Sequence, residues 1–208
     1  MSHTDADHIN GITALLGYIE QNLTSVKVDA LVLPDWEDPP AEHRALASEA
    51  GRAGASVLYA SAGDVFRADG LVFSVLSPES GTFVTDVNED GMVLLMESGA
   101  FSALFPGDIG MASEEKLLRE GRLTDIDLLV AAHHGSRYST GDDFLSAVKP
   151  EIAVVSCSET NTYGHPAPET VERLSDAGCQ IKYTMKSGAV TVAEKDGRIY
   201  VSGFTDSG

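Results

Sequence analysis

Short apolar runs alternate with amphipathic segments along this chain, and the alternation predicts a layered α/β fold. Apolar side chains recur at helical spacing in residues 11–20, 41–52, 114–119, 142–148 and 168–177. Runs rich in Val, Ile, Leu and Phe predict strands between and after these helices. The predicted strands are residues 28–33, 56–59, 71–76, 92–96, 101–105, 126–131, 152–155, 181–183, 189–193 and 198–201, the last two joined by a turn at Asp196-Gly197.

The length and composition fit one α/β domain spanning residues 1–208. Apolar runs fall short of the ~20 residues that a membrane span needs, and the polar amino terminus lacks the pattern of a signal peptide. Two cysteines are too few for a disulfide framework. The formal charge is −18, from 32 acidic and 14 basic residues, which disfavours an extended basic groove for nucleic acid. Bound cations would offset part of this charge locally.

Four side chains of metal-binding type lie close together near the amino terminus: His3, Asp5, Asp7 and His8. Imidazole suits zinc and manganese, and carboxylates suit harder divalent ions, so the mixture is typical of a hydrolytic metal site. Alternate residues of an extended segment point the same way, so His3, Asp5 and Asp7 can converge. The alternative interpretation is a polar, disordered terminus.

Two later turns also carry potential ligands, each directly after an apolar strand. Asp108 follows the strand at residues 101–105 through a Pro-Gly turn, where it can bridge two cations, although Gly-Asp is common in plain turns. His133 and His134 follow the strand at residues 126–131, and a His-His-Gly turn at a strand end favours ligands over core packing.

Further polar residues surround these turns. Ser136 and Arg137 lie before a predicted helix, where they can bind an anion or serve only to cap the helix. His165 follows another strand, where it can support a ligand or supply an acid, or belong to an ordinary loop. His43 lies in a predicted exposed helix, and we expect it to face solvent.

In this order the motifs resemble the metallo-β-lactamase superfamily, and more closely the soluble metallo-hydrolase domain of the bacterial competence DNA-uptake protein ComEC. The first motif, Ser-His-x-Asp-x-Asp-His-x-x-Gly, runs from residue 2 to 11. Gly-Asp at 107–108, His-His-Gly-Ser at 133–136 and Tyr-Gly-His-Pro at 163–166 complete the set. The resemblance implies an αββα sandwich with a metal site, of one or two ions, at one edge.

The resemblance also implies roles for the ligands. His3 and Asp5 would bind one metal, Asp7, His8 and His134 the other, and Asp108 would bridge them. The implied chemistry is metal-assisted hydrolysis of a phosphodiester with zinc or manganese. Asp7 or Asp108 would orient the attacking water, and His133 or His165 would assist the leaving group.

The chain departs from the family pattern at three places. The turn at residues 88–91 has glycine where the family tends to have Ser, so that either Asn88 or Asp90 can be the residue that contacts metal, and Pro106 replaces the usual Thr. Only two residues precede His3, so we expect the fold to lack amino-terminal strands. His3 and Asp5 would then be loosely held, metal occupancy partial, and the uncovered sheet edge prone to self-association.

Three interpretations of function follow. The first is a DNA phosphodiesterase or nuclease in DNA uptake, as the soluble domain of a membrane-associated bacterial protein. The second is a hydrolase of small esters, such as a phosphorylcholine ester or a lactone. The third is a catalytically silent structural or interaction module of a DNA-uptake machine.

Overall fold

The structure, a computed structural model, describes residues 1–195 and 197–207; the predicted turn at Asp196 lies in part outside the described residues. These residues form six helices: α1 (Ala6–Glu20), α2 (Ala41–Arg52), α3 (Met111–Arg119), α4 (Asp142–Val148), α5 (Pro168–Asp176) and α6 (Thr184–Ser187). They also form eleven strands: β1 (Ala30–Pro34), β2 (Ser56–Ala60), β3 (Val65–Ala68), β4 (Leu71–Ser77), β5 (Val93–Ser98), β6 (Phe101–Phe105), β7 (Leu128–Val130), β8 (Ile152–Val155), β9 (Gln180–Tyr183), β10 (Val190–Lys195) and β11 (Arg198–Gly203). No helix in this part of the chain is both long and apolar enough to cross a bilayer.

A seven-stranded mixed sheet in the order β3-β4-β5-β6-β7-β8-β9 forms the centre of the molecule. Neighbouring strands from β3 to β6 are antiparallel, and those from β6 to β9 are parallel. Parallel strands end at the same edge of a sheet, so the segments after β6, β7 and β8 meet there. This edge carries the candidate site.

Apolar residues cover both faces of the central sheet. Leu104, Leu129 and Ala153 lie on the face that packs against α3, α4 and α5, where Phe144 and Leu174 are buried. The opposite face meets the β10–β11 hairpin at one end, through a cluster that includes Ala103, Leu128, Val192, Ile199 and Val201. Since both faces are buried, strands β7 and β8 are continuously apolar rather than alternating.

A smaller layer holds the amino-terminal segment. Strands β1 and β2 form a parallel pair that packs on α1 and α2, and Leu16, Leu31 and Leu46 are buried between them. Ile9, Ile12 and Leu16 recur at helical spacing, so α1 presents one apolar face to this layer. Helix α1 thereby begins close to the edge of the large sheet.

The αββα architecture predicted from the sequence is confirmed, and most elements lie within a few residues of their predicted bounds. Helix α1 begins at Ala6 rather than at residue 11, because the Asp5 carbonyl accepts hydrogen bonds from the backbone of His8 and Ile9. The prediction missed β3, whose side chains are mostly exposed and give little periodic signal. The Asp69-Gly70 turn, with both φ angles positive, is the signal that could have revealed its hairpin with β4. The short helix α6 was also missed.

The prediction that His43 faces solvent is wrong. Its side chain is fully buried, and its Nε2 atom lies 3.0 Å from the carbonyl oxygen of Pro34. The rings of Trp36 and Tyr59 flank the imidazole. Helix α2 therefore turns this residue towards the end of β1, and burial lowers the pKa of His43.

The loop between β7 and α4 is held by the buried Glu114 and the partly buried Arg173. The Glu114 carboxylate, from α3, accepts hydrogen bonds from the backbone N–H groups of Thr140 and Gly141. On the other side, the Arg173 guanidinium donates to the carbonyl oxygens of residues 137, 139 and 140. The anion that the sequence predicted at this turn is thus the protein's own Glu114, whose pKa burial raises to about 7.

Replacement of Glu114 by Gln is expected to change the pH dependence of stability. A carboxyl whose pKa rises from 4.5 to about 7 on folding stabilises the fold most fully below pH 4.5, and that contribution is lost as the pH rises through 7. The free energy of unfolding of the wild type relative to Glu114→Gln should therefore fall by up to about 3 kcal/mol between pH 4.5 and 8. Urea unfolding across this range measures the difference.

Glu115→Gln is the matched control, since Glu115 lies on the same helix and its side chain is 69% exposed. This variant should follow the wild-type pH profile. If the free energies of unfolding of Glu114→Gln and the wild type changed in parallel with pH, the raised pKa of Glu114 would be contradicted.

Candidate active site and metal centre

Four segments of the chain meet at the carboxyl-terminal edge of the parallel strands. They are the amino-terminal segment with the first turn of α1, and the segments that follow β6, β7 and β8. The six residues predicted as metal ligands all lie here. They are His3, Asp5, Asp7, His8, Asp108 and His134.

Asp108 lies at the centre of this group. Its side chain is only 6% exposed, and its oxygens lie 3.2 Å from His8 Nε2, 3.5 Å from His134 Nε2 and 3.9 Å from His3 Nε2. Gly107 precedes it with φ of 63°, and a Cβ atom there would lie 2.9 Å from the Cβ atom of Ser2. The Gly-Asp turn is therefore required both by backbone conformation and by close packing.

The amino-terminal segment is held from two sides. His3 is fully buried, and the Ser2 hydroxyl lies 3.1 Å from its Nδ1 atom and 3.2 Å from Nδ1 of His8. The Ser2 carbonyl accepts a hydrogen bond of 2.8 Å from the backbone N–H of Met92. The structure thus contradicts the expectation that His3 would lack support, and removes the structural reason given for partial metal occupancy. Ser2 is a site residue for which the sequence analysis assigned no role.

An unusual turn after β7 orients the side chains of His133 and His134. His133 and His134 both have left-handed backbone conformations, with φ of 49° and 55°. The backbone N–H of His133 donates to the Gly107 carbonyl at 3.0 Å, and His134 Nδ1 lies 2.8 Å from the Ser156 carbonyl. At Gly135, a Cβ atom would lie 2.7 Å from that of Pro166. Strained backbone at such a turn is commonly found at functional sites.

The donor set fits divalent metal ions. Ligand atoms of His3, His8 and Asp108 lie within 4.8 Å of one another, as do those of Asp7, His8 and His134. The Nε2 atoms of His3, His8 and His134 are buried without a hydrogen-bond partner, and buried polar atoms without partners are uncommon. Three such nitrogens beside a buried carboxylate are the ligands that zinc and similar ions prefer. The first group includes His8, which the resemblance had assigned to the second metal alone.

The charges in the centre are interdependent. Burial lowers the pKa of His3, and the neighbouring His8 lowers it further. Burial acts against the charged form of His8 too, but the negative charge of Asp108, 3.2 Å away, raises the pKa of His8. Burial would raise the pKa of Asp108, yet His8, His134 and His3 together hold that pKa below its usual value. The histidines thus keep the buried carboxylate ionised.

A cleft of about 600 Å³ opens beside the ligands. All three predicted catalytic residues line it: Asp7, His133 and His165. The rings of His133 and His165 meet edge to face at 5.6 Å, and the Nδ1 atom of His165 is buried without a hydrogen-bond partner. Burial and the two neighbouring histidines lower the pKa of His165.

Ser136 and Arg137 are not among the residues that line this cleft, and their role as substrate ligands stays a prediction. Ser136 is buried, and its hydroxyl accepts a hydrogen bond from the backbone N–H of Tyr138 at 3.3 Å. Arg137 is half exposed and pairs with Glu169 at 3.4 Å. The backbone N–H groups of Thr140 and Gly141, directly before α4, donate to the Glu114 carboxylate instead.

At the turn of residues 88–91, Asp90 belongs to neither ligand group. The Asp90 carboxylate accepts hydrogen bonds from the backbone of Thr85 and Asp86, so it closes its own loop. The side-chain oxygen of Asn88 is buried without a partner. Gly91 packs closely under the backbone of Asn88 and Ser2, which explains why the residue here is glycine.

Comparison with known proteins supports the resemblance. The chain is 29% identical over 197 residues to ComE operon protein 3 of Bacillus subtilis, and 29% identical over 192 residues to Recombination protein 2 of Haemophilus influenzae. These matches cover 94% and 92% of this chain but only 24% and 21% of the relatives, so the chain spans about a quarter of their length. Competence protein ComA of Neisseria gonorrhoeae is 35% identical over 123 residues, which are 59% of this chain and 18% of that protein. No protein-family model matches the chain.

Among solved structures, the diiron β-hydroxylase CmlA of Streptomyces venezuelae superposes with a TM-score of 0.53 at 15% identity. The superposition covers 88% of this chain and 42% of CmlA, and at this identity it is evidence of fold alone. The ordered ligand motifs, the layered architecture and the three relatives agree with one another. The chain has a layered αββα fold that it shares with CmlA, its sequence is similar to those of competence proteins, and the order of its motifs resembles that of the metallo-β-lactamase superfamily.

Proposed function

We propose that the chain is a metal-dependent phosphodiesterase that cleaves DNA during competence-related uptake. The observation that carries the proposal is the convergence of five histidines and three aspartates, from four separate segments, beside one open cleft. The name of one relative, Competence protein ComA, supports competence as the setting, and the resemblance of the sequence motifs to the ComEC domain implies DNA as the substrate.

The two ligand groups would hold one or two divalent ions. His3, His8 and Asp108 form one group, Asp7, His8 and His134 the other, and Asp5 lies 3.8 Å from His3. The mixture of nitrogen and carboxylate ligands suits either zinc or manganese. Such ions would lower the pKa of an attacking water and offset negative charge at the phosphate.

The remaining steps belong to side chains that line the cleft. Asp7 has a 63% exposed carboxylate within 3.1 Å of His134, where it can accept a proton from water and orient it. His165 has a lowered pKa, so its ring is neutral near pH 7 and still offers one N–H. That N–H can hydrogen-bond to the leaving oxygen or to a phosphate oxygen, and His133 lies beside it.

The charge of the cleft limits how DNA can bind. Its described lining contains the carboxylates of Asp5, Asp7 and Asp108 but no Lys or Arg. Duplex affinity usually depends on several basic contacts with phosphates. We therefore infer that bound metal supplies the main attraction for phosphate, and that the site binds one phosphate rather than a long stretch of backbone.

The apolar surface next to the site supports a proposal of self-association. Strands β1 and β2 are both edge strands within the described residues, and Leu58 on β2 and Phe105 on β6 are partly exposed. Exposed strand edges and apolar side chains favour pairing with another chain. An increase of the weight-average mass with concentration in sedimentation velocity would support dimer formation, and a constant monomer mass would contradict it.

Asp108→Asn should weaken metal binding at least tenfold, because it removes the charge of the central ligand while it preserves volume. Calorimetric titration with manganese and with zinc measures the affinity. Asp125→Asn, at a carboxylate 67% exposed and remote from the ligand groups, is the matched control and should bind as the wild type does. Equal affinities for Asp108→Asn and the wild type would refute the central role of Asp108.

Metal-loaded wild-type protein should cleave DNA oligonucleotides, and Asp108→Asn should lose this activity while its unfolding transition remains cooperative. A parallel assay with phosphorylcholine esters and lactones separates the candidate functions. Turnover of those esters without DNA cleavage would favour a small-ester hydrolase. Bound metal without turnover of either kind would favour a structural or interaction module.

A further inference from the structure

Tyr163 lies at the rim of the cleft and is one of the most exposed aromatic side chains in the described residues, at 82%. Its loop has a defined hydrogen-bonded structure. The Asn161 side chain accepts from the backbone N–H of His165 at 2.9 Å and donates to the carbonyl oxygens of Ser158 and His165. Gly164, with φ of 74°, allows the turn between Tyr163 and His165. The aromatic ring is therefore presented at the cleft by a bonded scaffold.

The rings form a series that runs from the ligands to the rim. His133 Nε2 lies 3.8 Å from Asp108, the rings of His133 and His165 meet at 5.6 Å, and Tyr163 stacks on His165 at 6.0 Å with an interplanar angle of 19°. Because Tyr163 lies nearly parallel to His165, one of its faces is directed to that ring. Its high exposure leaves the opposite face available for a planar group.

We propose that Tyr163 is a base-stacking residue, and that the site therefore takes single-stranded nucleic acid. This inference rests on the proposed phosphodiesterase function. A base can stack on a protein ring only when it has left its own stack, as in a single strand or a frayed end. With a phosphate at the ligand groups, the base of an adjacent nucleotide would stack on the outer face of Tyr163.

The composition of the cleft is consistent with such a contact. The described lining offers no basic side chain to attract further phosphates, so affinity beyond the first phosphate has to come from uncharged contacts. Stacking is such a contact, and it tolerates any sequence because every base has a π face. It would also disfavour intact duplex, whose bases are unavailable.

The experiment is a cycle of two proteins and two ligands. Manganese-loaded wild type and Tyr163→Ala are each titrated against a labelled phosphorothioate oligothymidylate, whose backbone resists hydrolysis, and against an abasic oligomer of the same backbone and length. Fluorescence anisotropy gives the four dissociation constants. Tyr163→Ala should weaken binding of the oligothymidylate about fivefold to a hundredfold and leave abasic binding unchanged. Tyr163→Phe, which retains the ring, should bind like the wild type.

Tyr200→Ala is the control, since Tyr200 is 52% exposed on β11 and does not line the cleft. It should bind both oligomers as the wild type does. The proposal is overturned if Tyr163→Ala weakens the binding of both oligomers equally, or leaves the binding of both unchanged. It is also overturned if the wild type binds neither oligomer.

Cleavage of the unmodified oligonucleotide, assayed separately, distinguishes the two proposals. Base-dependent loss of binding without cleavage would support the stacking role and overturn the phosphodiesterase. Cleavage with no effect of the base on binding would support the phosphodiesterase and overturn the stacking role of Tyr163.

Discussion

Burial of one ionised carboxylate is the constraint on which the site depends. Asp108 is almost inaccessible to solvent, and removal of a carboxylate from water is costly unless opposite charge or hydrogen bonds replace the hydration. His3 and His8, from the amino-terminal segment, and His134, from the segment after β7, provide that replacement. The Nε2 atoms of these histidines are buried without hydrogen-bond partners. A cation at the centre of the cluster would therefore stabilise it. The arrangement of the ligands thus favours a cation at this site.

The parallel half of the central sheet brings these groups together. Strands β6, β7 and β8 end side by side, so residues far apart in sequence reach the same edge without long loops. Helix α1 adds its first turn from the other layer, and the Ser2–Met92 hydrogen bond joins the two layers at the site. Local packing completes the arrangement, since Gly107 and Gly135 stand where a side chain would collide with Ser2 or Pro166.

The convergence of the candidate ligands and the fold class were predictable from sequence because their signals are local. Clustered histidines and aspartates at strand ends, and the spacing of apolar residues, need no knowledge of tertiary contacts. The errors arise where contacts between distant segments decide the outcome. His43 is on a helix face that the end of β1, Trp36 and Tyr59 bury. At the turn before α4, the backbone N–H groups that could bind an anion instead bind Glu114, 26 residues from Thr140.

The hydroxyl of Ser2 has a consequence for proton placement. A hydroxyl has one proton to donate but two lone pairs to accept with, and here it lies within hydrogen-bond distance of Nδ1 on both His3 and His8. If it accepts from both, each imidazole carries its proton on Nδ1 and directs an unprotonated Nε2 towards Asp108. A single oxygen then selects the same tautomer in two rings at once, and that tautomer is the one in which both Nε2 lone pairs can bind a cation beside Asp108.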